Sequence, residues 1–244
     1  MRKKLSYAIF TDNGGREINE DCIGVCQQID KNFFVLCDGL GGHGMGDVAS
    51  SLAVSVFEDM FDKTISPSSF LEQSFLATQD LLMTEQKARG AKNKMKTTAV
   101  ALATDEKNAY IGYIGDSRVY VFKRNKVKMR TQDHSIPQML ALSGEIKESE
   151  IRNHPERNML LRVLGVEWDS PLYELLKPLP LRKCQAFLLC SDGFWELIEE
   201  SVMCDLLKKA DTVEEWLASM IDVVKTNGIG RNMDNYSAIA VWCE

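Results

Sequence analysis

The chain has 244 residues, 45% of them hydrophobic, and its 35 acidic and 29 basic side chains give a net charge of −6. This length and composition are typical of a soluble globular protein, and they predict a single domain over residues 1–244. The acidic balance and the lack of a basic stripe exclude nucleic acid as the main partner. No apolar stretch is long enough to predict a membrane span.

The strands are predicted from short apolar runs that end at turn-forming residues. In chain order they cover residues 6–10, 22–28, 33–37, 99–104, 109–114, 119–122, 173–176, 186–190 and 237–242. Residues 115–118 and 123–126 have turn-forming compositions, and each predicts a tight connection between neighbouring strands.

The helices are predicted from apolar residues at helical spacing, as at Val48, Leu52 and Val56. They cover residues 47–61, 70–89, 135–143, 201–209 and 213–226. Ser68 or Ser69 is the expected cap of the second helix, after Pro67. The two longest helices are consecutive and several strands also follow one another, which is not βαβ alternation. This order predicts antiparallel sheets covered by helices.

The seven cysteines are an odd number, and several lie within apolar runs, as Cys37 and Cys190 do. This pattern predicts reduced, buried thiols in a cytoplasmic protein rather than a disulfide framework. No cysteine has an arginine six positions later, so a cysteine-based phosphatase loop is excluded.

Acidic residues stand at the ends of predicted strands that are far apart in the chain. Asp38-Gly39 and Asp192-Gly193 each follow an apolar run, Asp234-Asn235 precedes the last strand, and Glu20-Asp21 lies upstream. A carboxylate at the mouth of a buried strand is held rigidly, and several together form the oxygen cage that Mg²⁺ or Mn²⁺ requires. The sequence therefore predicts a metal site with several carboxylate ligands.

Other residues support this chemistry or offer alternatives to it. Arg16 is a candidate phosphate ligand, since a guanidinium binds phosphate bidentately. His43 is a candidate general acid. Asp116 could join the metal cluster or form an Asx turn. The Gly39-x-Gly41-x-x-Gly44 pattern allows a dinucleotide-binding oxidoreductase, but no parallel strand returns after the next helix and Asp38 would repel a pyrophosphate.

Six short motifs, taken together, resemble a known family. They are Arg16-x-x-x-Glu20-Asp21, Asp38-Gly39-x-Gly41-Gly42-His43, Gly115-Asp116-Ser117-Arg118, Asp133-His134-Ser135, Cys190-Ser191-Asp192-Gly193 and Asp234-Asn235. In this order, over residues 12–242, the chain resembles the metal-dependent serine/threonine protein phosphatases of type 2C, in their bacterial form. One departure is Lys96, which stands before Thr97-Thr98 where the family usually has Gly. It is expected to change the local turn and to touch no proposed ligand. A second departure is that His43 is displaced along its loop.

The resemblance implies an α+β fold, a β-sandwich of two antiparallel sheets flanked by helices (α-β-β-α) with the metal centre at one end. It assigns roles to the acidic residues of the metal centre, to Gly39 and to Arg16. Asp38 would bridge two Mn²⁺ or Mg²⁺ ions, and the other ligands would be the Gly39 carbonyl, Asp192 and Asp234. Asp116 would hold a weaker third ion, and Glu20 and Asp21 would act through metal-bound water. Arg16 would bind the substrate phosphate.

The implied activity is hydrolysis of phosphoserine and phosphothreonine esters on proteins by a metal-activated water, without a covalent phosphoenzyme. The implied partners are phosphorylated proteins, including a cognate serine/threonine kinase and its substrates, and the expected state is a monomer. A flap-like segment is expected around residues 144–155. The main alternative is a catalytically inactive relative that binds phosphoproteins or another partner.

Overall fold

The elements follow the apolar pattern of the chain in the described residues, 4–41, 44–63 and 66–243, of this computed structural model. The strands are β1 (Leu5–Asp12), β2 (Asp21–Gln27), β3 (Asn32–Asp38), β4 (Ala99–Thr104), β5 (Asn108–Ile114), β6 (Arg118–Lys123), β7 (Lys126–Arg130), β8 (Glu174–Leu175), β9 (Leu179–Pro180), β10 (Ala186–Cys190) and β11 (Tyr236–Cys243). The helices are α1 (Gly46–Lys63), α2 (Pro67–Ala88), α3 (Ile136–Ser143), α4 (Asp192–Trp195), α5 (Glu200–Lys209) and α6 (Val213–Gly228). Short 3-10 helices cover Glu148–Asn153 and Leu181–Lys183.

The strands form two antiparallel sheets. Sheet one has the order β1-β11-β10-β6-β7, and sheet two has the order β2-β3-β4-β5-β8, with β9 also paired to β5. The first and last strands of the chain pair along their whole length, from Leu5 opposite Cys243 to Asp12 opposite Tyr236. Each sheet therefore combines strands from distant parts of the sequence.

The central strands are apolar on both faces because each sheet is covered on both sides. Side chains alternate along a strand, so neighbouring residues of β3 enter different cores. Phe34 packs with Val121 and Leu189 of the other sheet. Phe33 and Val35 pack on the opposite face, against α1 and α2.

Two pairs of helices form the outer layers. Phe57 of α1 meets Phe75 of α2 edge to face, with ring centroids 5.3 Å apart, in the core that covers sheet two. On the other side, Trp216 of α6 meets Phe122 of β6 at 5.1 Å. The four layers confirm the predicted α-β-β-α sandwich.

The structure corrects some element boundaries. Helix α2 begins earlier than predicted, because Ser66 rather than Ser68 or Ser69 caps it, accepting from the Ser69 amide at 3.3 Å. Pro67 then occupies the first turn, where its missing N–H costs nothing. The turn predicted at residues 123–126 is confirmed, with Arg124 and Asn125 in the left-handed region (φ 52° and 57°). Strands β7 and β9 and the short helix α4 were not predicted.

The predicted flap-like segment, residues 144–155, contains the 3-10 helix Glu148–Asn153. Its Ile151 is only 2% exposed. Arg152 donates from Nη2 to Glu200 Oε2 at 3.1 Å, which links the segment to α5. Movement of this segment stays a prediction.

Candidate functional site

A cleft of about 790 Å³ opens at one end of the sandwich. The strand register brings the acidic residues together at this end. In sheet two, Asp21 lies opposite Asp38. In sheet one, Cys190 lies opposite Ala238, so Asp192, which follows β10, and Asp234, which precedes β11, are at the same end of the sheet. The cleft is lined by seven of the predicted site residues: Arg16, Glu20, Asp38, Gly39, Asp116, Asp192 and Asp234. His43 lies outside the described residues.

The backbone of Asp38 is fixed by the Thr97-Thr98 pair. Its carbonyl accepts from Thr98 N at 2.8 Å and from Thr97 Oγ1 at 2.9 Å. Its amide donates to Thr98 Oγ1 at 3.2 Å. Because these bonds hold both sides of the residue, the half-buried carboxylate points from a rigid strand end into the cleft.

The glycines after Asp38 make room for Glu20. A Cβ on Gly39 would lie 2.2 Å from the Gly46 carbonyl oxygen, and a Cβ on Gly41 would lie 1.6 Å from the Glu20 carboxylate. The Gly39 amide also donates to the Glu20 carbonyl at 3.0 Å. Helix α1 leads into α2 rather than into a parallel strand. The glycine pattern therefore serves close packing, and the dinucleotide-binding alternative has no structural support.

Asn235 joins the last acidic turn to the loop that carries Arg16 and Glu20. Its Nδ2 donates to the carbonyls of Asn13 and Ile18 at 3.0 Å, and its Oδ1 accepts from the Glu20 amide at 2.9 Å. The sequence motif assigned no role to this residue. The structure indicates that it positions the loop on which Glu20 lies.

Arg16 and Asp234 form an ion pair in this structure. Arg16 Nη2 lies 2.9 Å from Asp234 Oδ2, and Asp234 Oδ1 accepts from the Asn235 amide at 2.9 Å. Both side chains are about half exposed to solvent, at 49% and 40%. Arg16 therefore faces the cleft, where phosphate could compete for its guanidinium.

Asp116 lies in the turn before β6 and Asp192 lies just after β10, and these two strands are paired in sheet one. Asp192 begins the short helix α4, and Trp195 of that helix donates from Nε1 to the Asp116 carbonyl at 3.0 Å. Glu196 follows directly and is paired with Arg157 at 2.9 Å. Sequence reasoning missed Glu196, because no strand-end or turn signal distinguishes it from a surface glutamate.

Asp21 lies beneath the cleft rather than in its lining. It is 9% exposed, and its Oδ2 accepts from Ser191 Oγ at 2.8 Å. Its Oδ1 is buried and has no hydrogen-bond partner. A buried carboxylate oxygen without a partner is costly, so this atom fits a role in which it accepts from a water.

The carboxylates raise one another's pKa values. Burial, followed by the charge of Asp21, raises the pKa of Asp38 well above its usual range, and burial with Asp116 does the same for Asp192. Burial, with Asp133, raises the pKa of Asp116 to about 7. Burial also raises the pKa of Asp21 to about 6. Such a cluster is destabilised when fully ionised and would be stabilised by divalent cations.

The donor set fits a hard divalent cation, since it consists of carboxylate and carbonyl oxygens. In residues 4–41, 44–63 and 66–243, however, no group of three or more His, Cys, Asp or Glu side chains is already arranged to hold a metal ion. The ion pair of Asp234 with Arg16 is one physical reason. Ligation would therefore require some side chains to rotate and the Gly39 carbonyl and waters to contribute.

The stability of the metal-free protein is expected to fall as pH rises. Asp21 and Asp116 have folded pKa values of about 6 and about 7, above those of the unfolded chain. The folded state therefore binds more protons, and the free energy of unfolding should decrease between about pH 4 and pH 7, by an amount on the order of 3–4 kcal/mol for each group. Urea unfolding in EDTA across this range tests the prediction.

Two Asp→Asn variants, one in the cleft and one on the surface, test whether the pH dependence of stability comes from the cleft carboxylates. Asp116→Asn should flatten the pH dependence, whereas Asp222→Asn, at an exposed position of α6, should leave it unchanged. A wild-type stability that rises from pH 5 to pH 8 in EDTA would contradict the electrostatic account.

None of the helices in the described part of the chain combines the length and apolarity that a membrane crossing needs. All seven cysteines are free thiols, and four of them are buried. The prediction of reduced thiols is therefore consistent with the structure.

Comparison with known proteins gives the same relatives by sequence and by fold. The family model described as protein phosphatase 2C matches residues 14–236. The serine/threonine phosphatase stp of Listeria innocua is 32% identical over 239 residues, which cover 95% of this chain and 93% of the relative. The crystal structure of the serine/threonine phosphatase Stp1 from Staphylococcus aureus has a TM-score of 0.88 at 28% identity, covering 99% of this chain and 96% of that one.

A further solved structure shares the fold. It is the catalytic domain of the serine threonine protein phosphatase PstP, in complex with two manganese ions, with a TM-score of 0.81 at 23% identity and coverage of 98% of both chains. These findings confirm the resemblance on which the fold and the enzyme class were predicted. The chain belongs to the protein phosphatase 2C family.

Proposed function

We propose that this protein hydrolyses phosphoserine and phosphothreonine esters on proteins in a metal-dependent reaction. The observation that carries the proposal is the single cleft that collects Asp38, Asp116, Asp192 and Asp234 beside Arg16. The family membership of the chain supports the same reaction. An inactive binding relative is disfavoured, because every predicted carboxylate ligand is present.

The proposed ligands are those that the family resemblance implies, and the cleft collects them in one place. Asp38, Asp192, Asp234 and the Gly39 carbonyl would hold two Mn²⁺ or Mg²⁺ ions, with Asp38 shared by both, and Asp116 with Asp192 would hold a weaker third ion. When bound, such ions supply Lewis acidity and make a water nucleophilic near neutral pH. Glu20 and Asp21 would orient waters, because both carboxylates lie beside the Asp38 strand end.

The proposed reaction needs no covalent enzyme intermediate. A water oxygen forms the new bond to phosphorus while the bond to the serine or threonine oxygen breaks, releasing inorganic phosphate and the free hydroxyl. Arg16 would stabilise the charge on the phosphoryl oxygens after exchanging its partner Asp234 for phosphate. The proton for the leaving oxygen is assigned to no described residue, and His43 stays a prediction for this role.

The test of the proposal is hydrolysis of p-nitrophenyl phosphate and of a phosphoserine peptide in EDTA, Mg²⁺ and Mn²⁺. Activity is expected to vanish in EDTA and to return with Mn²⁺, because the carboxylates alone cannot activate water. Full activity of the metal-free enzyme would contradict the proposal.

Arg16→Ala is expected to reduce kcat/KM for a phosphopeptide by about 10- to 100-fold, the value of a charged bidentate contact of roughly 1.5–3 kcal/mol. The loss should appear mainly in KM, since the proposed partner is a phosphate oxygen. Steady-state kinetics at saturating Mn²⁺ would measure it. Arg16→Lys keeps the charge without the planar fork and should be intermediate. Wild-type kinetics in Arg16→Ala would show that Arg16 does not bind the substrate phosphate and only pairs with Asp234.

Further properties are proposed from the family resemblance and from the free thiols. We infer a single catalytic domain over residues 1–244, with residues 144–155 as a flap, acting as a monomer on phosphorylated proteins that include a cognate serine/threonine kinase. The free thiols favour a cytoplasmic location.

A further inference from the structure

Lys96 lines the acidic cleft, a placement that its sequence motif did not predict. The adjacent Met95 and Thr97 are fully buried at 0% exposure. Lys96 is only partly buried, so its side chain is the one in this segment that reaches the cleft.

The backbone at Lys96 is fixed on two sides. Its carbonyl accepts from the Leu40 amide at 2.9 Å, and the next residue donates from its amide to the Leu164 carbonyl at 3.3 Å. Lys96 therefore stands between the loop after Asp38 and the apolar wall of the cleft, which contains Leu160, Leu161 and Val163. These bonds fix the backbone from which the Lys96 side chain extends into the cleft.

The cleft contains more acidic than basic side chains, yet Lys96 has no ion-pair partner among the described residues. The lining includes carboxylates from several elements but only two basic residues, Arg16 and Lys96. Arg16 is paired with Asp234 at 2.9 Å. In the part of the chain that the structure describes, Lys96 forms no ion pair or side-chain hydrogen bond. Its ammonium group is therefore available to a ligand.

The two cations also belong to different sides of the cleft. Arg16 is bonded to Asp234, which precedes β11 of sheet one, whereas Lys96 precedes β4 of sheet two. With a phosphate bound at Arg16, the position of Lys96 in the cleft lining would place its ammonium group toward the peptide beside the phosphorylated residue. An acidic side chain there would otherwise meet only the negative charges of the cleft.

We propose that Lys96 selects phosphoprotein substrates with an acidic residue next to the phosphorylated serine or threonine. This inference rests on the proposed phosphatase function and names a substrate class for the same cleft. The lysine makes an ion pair with the flanking carboxylate in both the bound substrate and the transition state. It therefore acts on KM and leaves kcat unchanged.

The experiment compares three substrates at saturating Mn²⁺: p-nitrophenyl phosphate, a phosphoserine peptide flanked by alanines, and the same peptide flanked by glutamates. Wild-type enzyme should favour the glutamate peptide over the alanine peptide by about 5- to 20-fold in kcat/KM, the value of a charged contact at a partly exposed site. Lys96→Met keeps the aliphatic stem and should erase this preference through KM. It should leave p-nitrophenyl phosphate hydrolysis within about twofold, because that substrate has no flanking residue.

The control is Lys92→Met, which removes an exposed lysine four residues upstream, with its side chain 80% exposed and paired to Glu167. It should retain the wild-type preference. Lys96→Glu should reverse it, favouring arginine-flanked peptides, and added salt should weaken the wild-type preference.

Turnover by wild-type enzyme without a preference for the glutamate peptide would overturn the Lys96 proposal alone. An equal loss on all three substrates in Lys96→Met would also overturn it, since that result indicates a phosphate contact or a structural role. Failure of the wild type to hydrolyse any of the three with Mn²⁺ would instead contradict the proposed function.

Discussion

Asp38→Asn is expected to lower turnover of a phosphopeptide by about 10³-fold or more, because it removes the central charge of the proposed metal centre. The backbone of Asp38 is held by Thr97 and Thr98, so the amide side chain should occupy the same place without its negative charge. The measurement is kcat at saturating Mn²⁺. Asp222→Asn provides the same chemical change on the exposed face of α6 and should be fully active.

The same variant should be more stable than wild type when metal is absent. Burial and the neighbouring carboxylates raise the pKa of Asp38 well above its usual range, so the ionised group destabilises the folded state near neutral pH. A neutral replacement removes this penalty, so the Tm of the metal-free variant should be higher than that of the wild type. Thermal unfolding in EDTA at pH 7.5 measures it.

Loss of activity with a gain of metal-free stability cannot be explained by misfolding. Full activity in Asp38→Asn would remove this residue from the catalytic centre. A lower Tm of Asp38→Asn in EDTA would contradict the electrostatic account of the cleft. The catalytic role of Asp38 would then be decided by the kinetic measurement alone.

Asp133→Ala should destabilise the protein by about 3–5 kcal/mol, because it leaves a buried guanidinium without its carboxylate. Arg118 is 3% exposed and binds Asp133 through two hydrogen bonds of 2.8 Å and 2.7 Å. Its guanidinium also lies 3.4 Å from the centroid of Trp195, whose indole holds the Asp116 carbonyl. Urea unfolding at pH 7 would give the free-energy difference.

Two controls accompany this prediction. Lys92→Ala breaks the exposed pair with Glu167, whose side chains are 80% and 79% exposed, and should cost less than about 1 kcal/mol. The double variant Arg118→Met/Asp133→Leu should be more stable than Asp133→Ala, since it removes both buried charges together. Stability of Asp133→Ala equal to that of wild type would show that the buried pair contributes nothing.

The regular elements with strong apolar patterns were predictable from local sequence. Strands β3, β4 and β10 are continuous apolar runs because both of their faces are covered. By contrast, β7 (Lys126–Arg130) alternates exposed and partly buried residues at the edge of its sheet. Its pairing with β6 makes it a strand, and a short polar run carries little signal of such pairing.

The sequence by itself determined which carboxylates the protein places at strand ends. Asp38, Asp192 and Asp234 each adjoin a strong apolar run or a turn former, and these signals are local. The chemistry of these residues also indicates a hard divalent cation, because only oxygen donors recur at these positions.

The tertiary structure decided what surrounds those carboxylates. The Arg16–Asp234 ion pair, the bridging amide of Asn235, the nearby Glu196 and the free ammonium of Lys96 all depend on contacts between distant segments. Such contacts are set by the register of paired strands and by the packing of two sheets. Residue type and local spacing do not encode them, because each contact joins segments whose separation in the chain carries no local pattern.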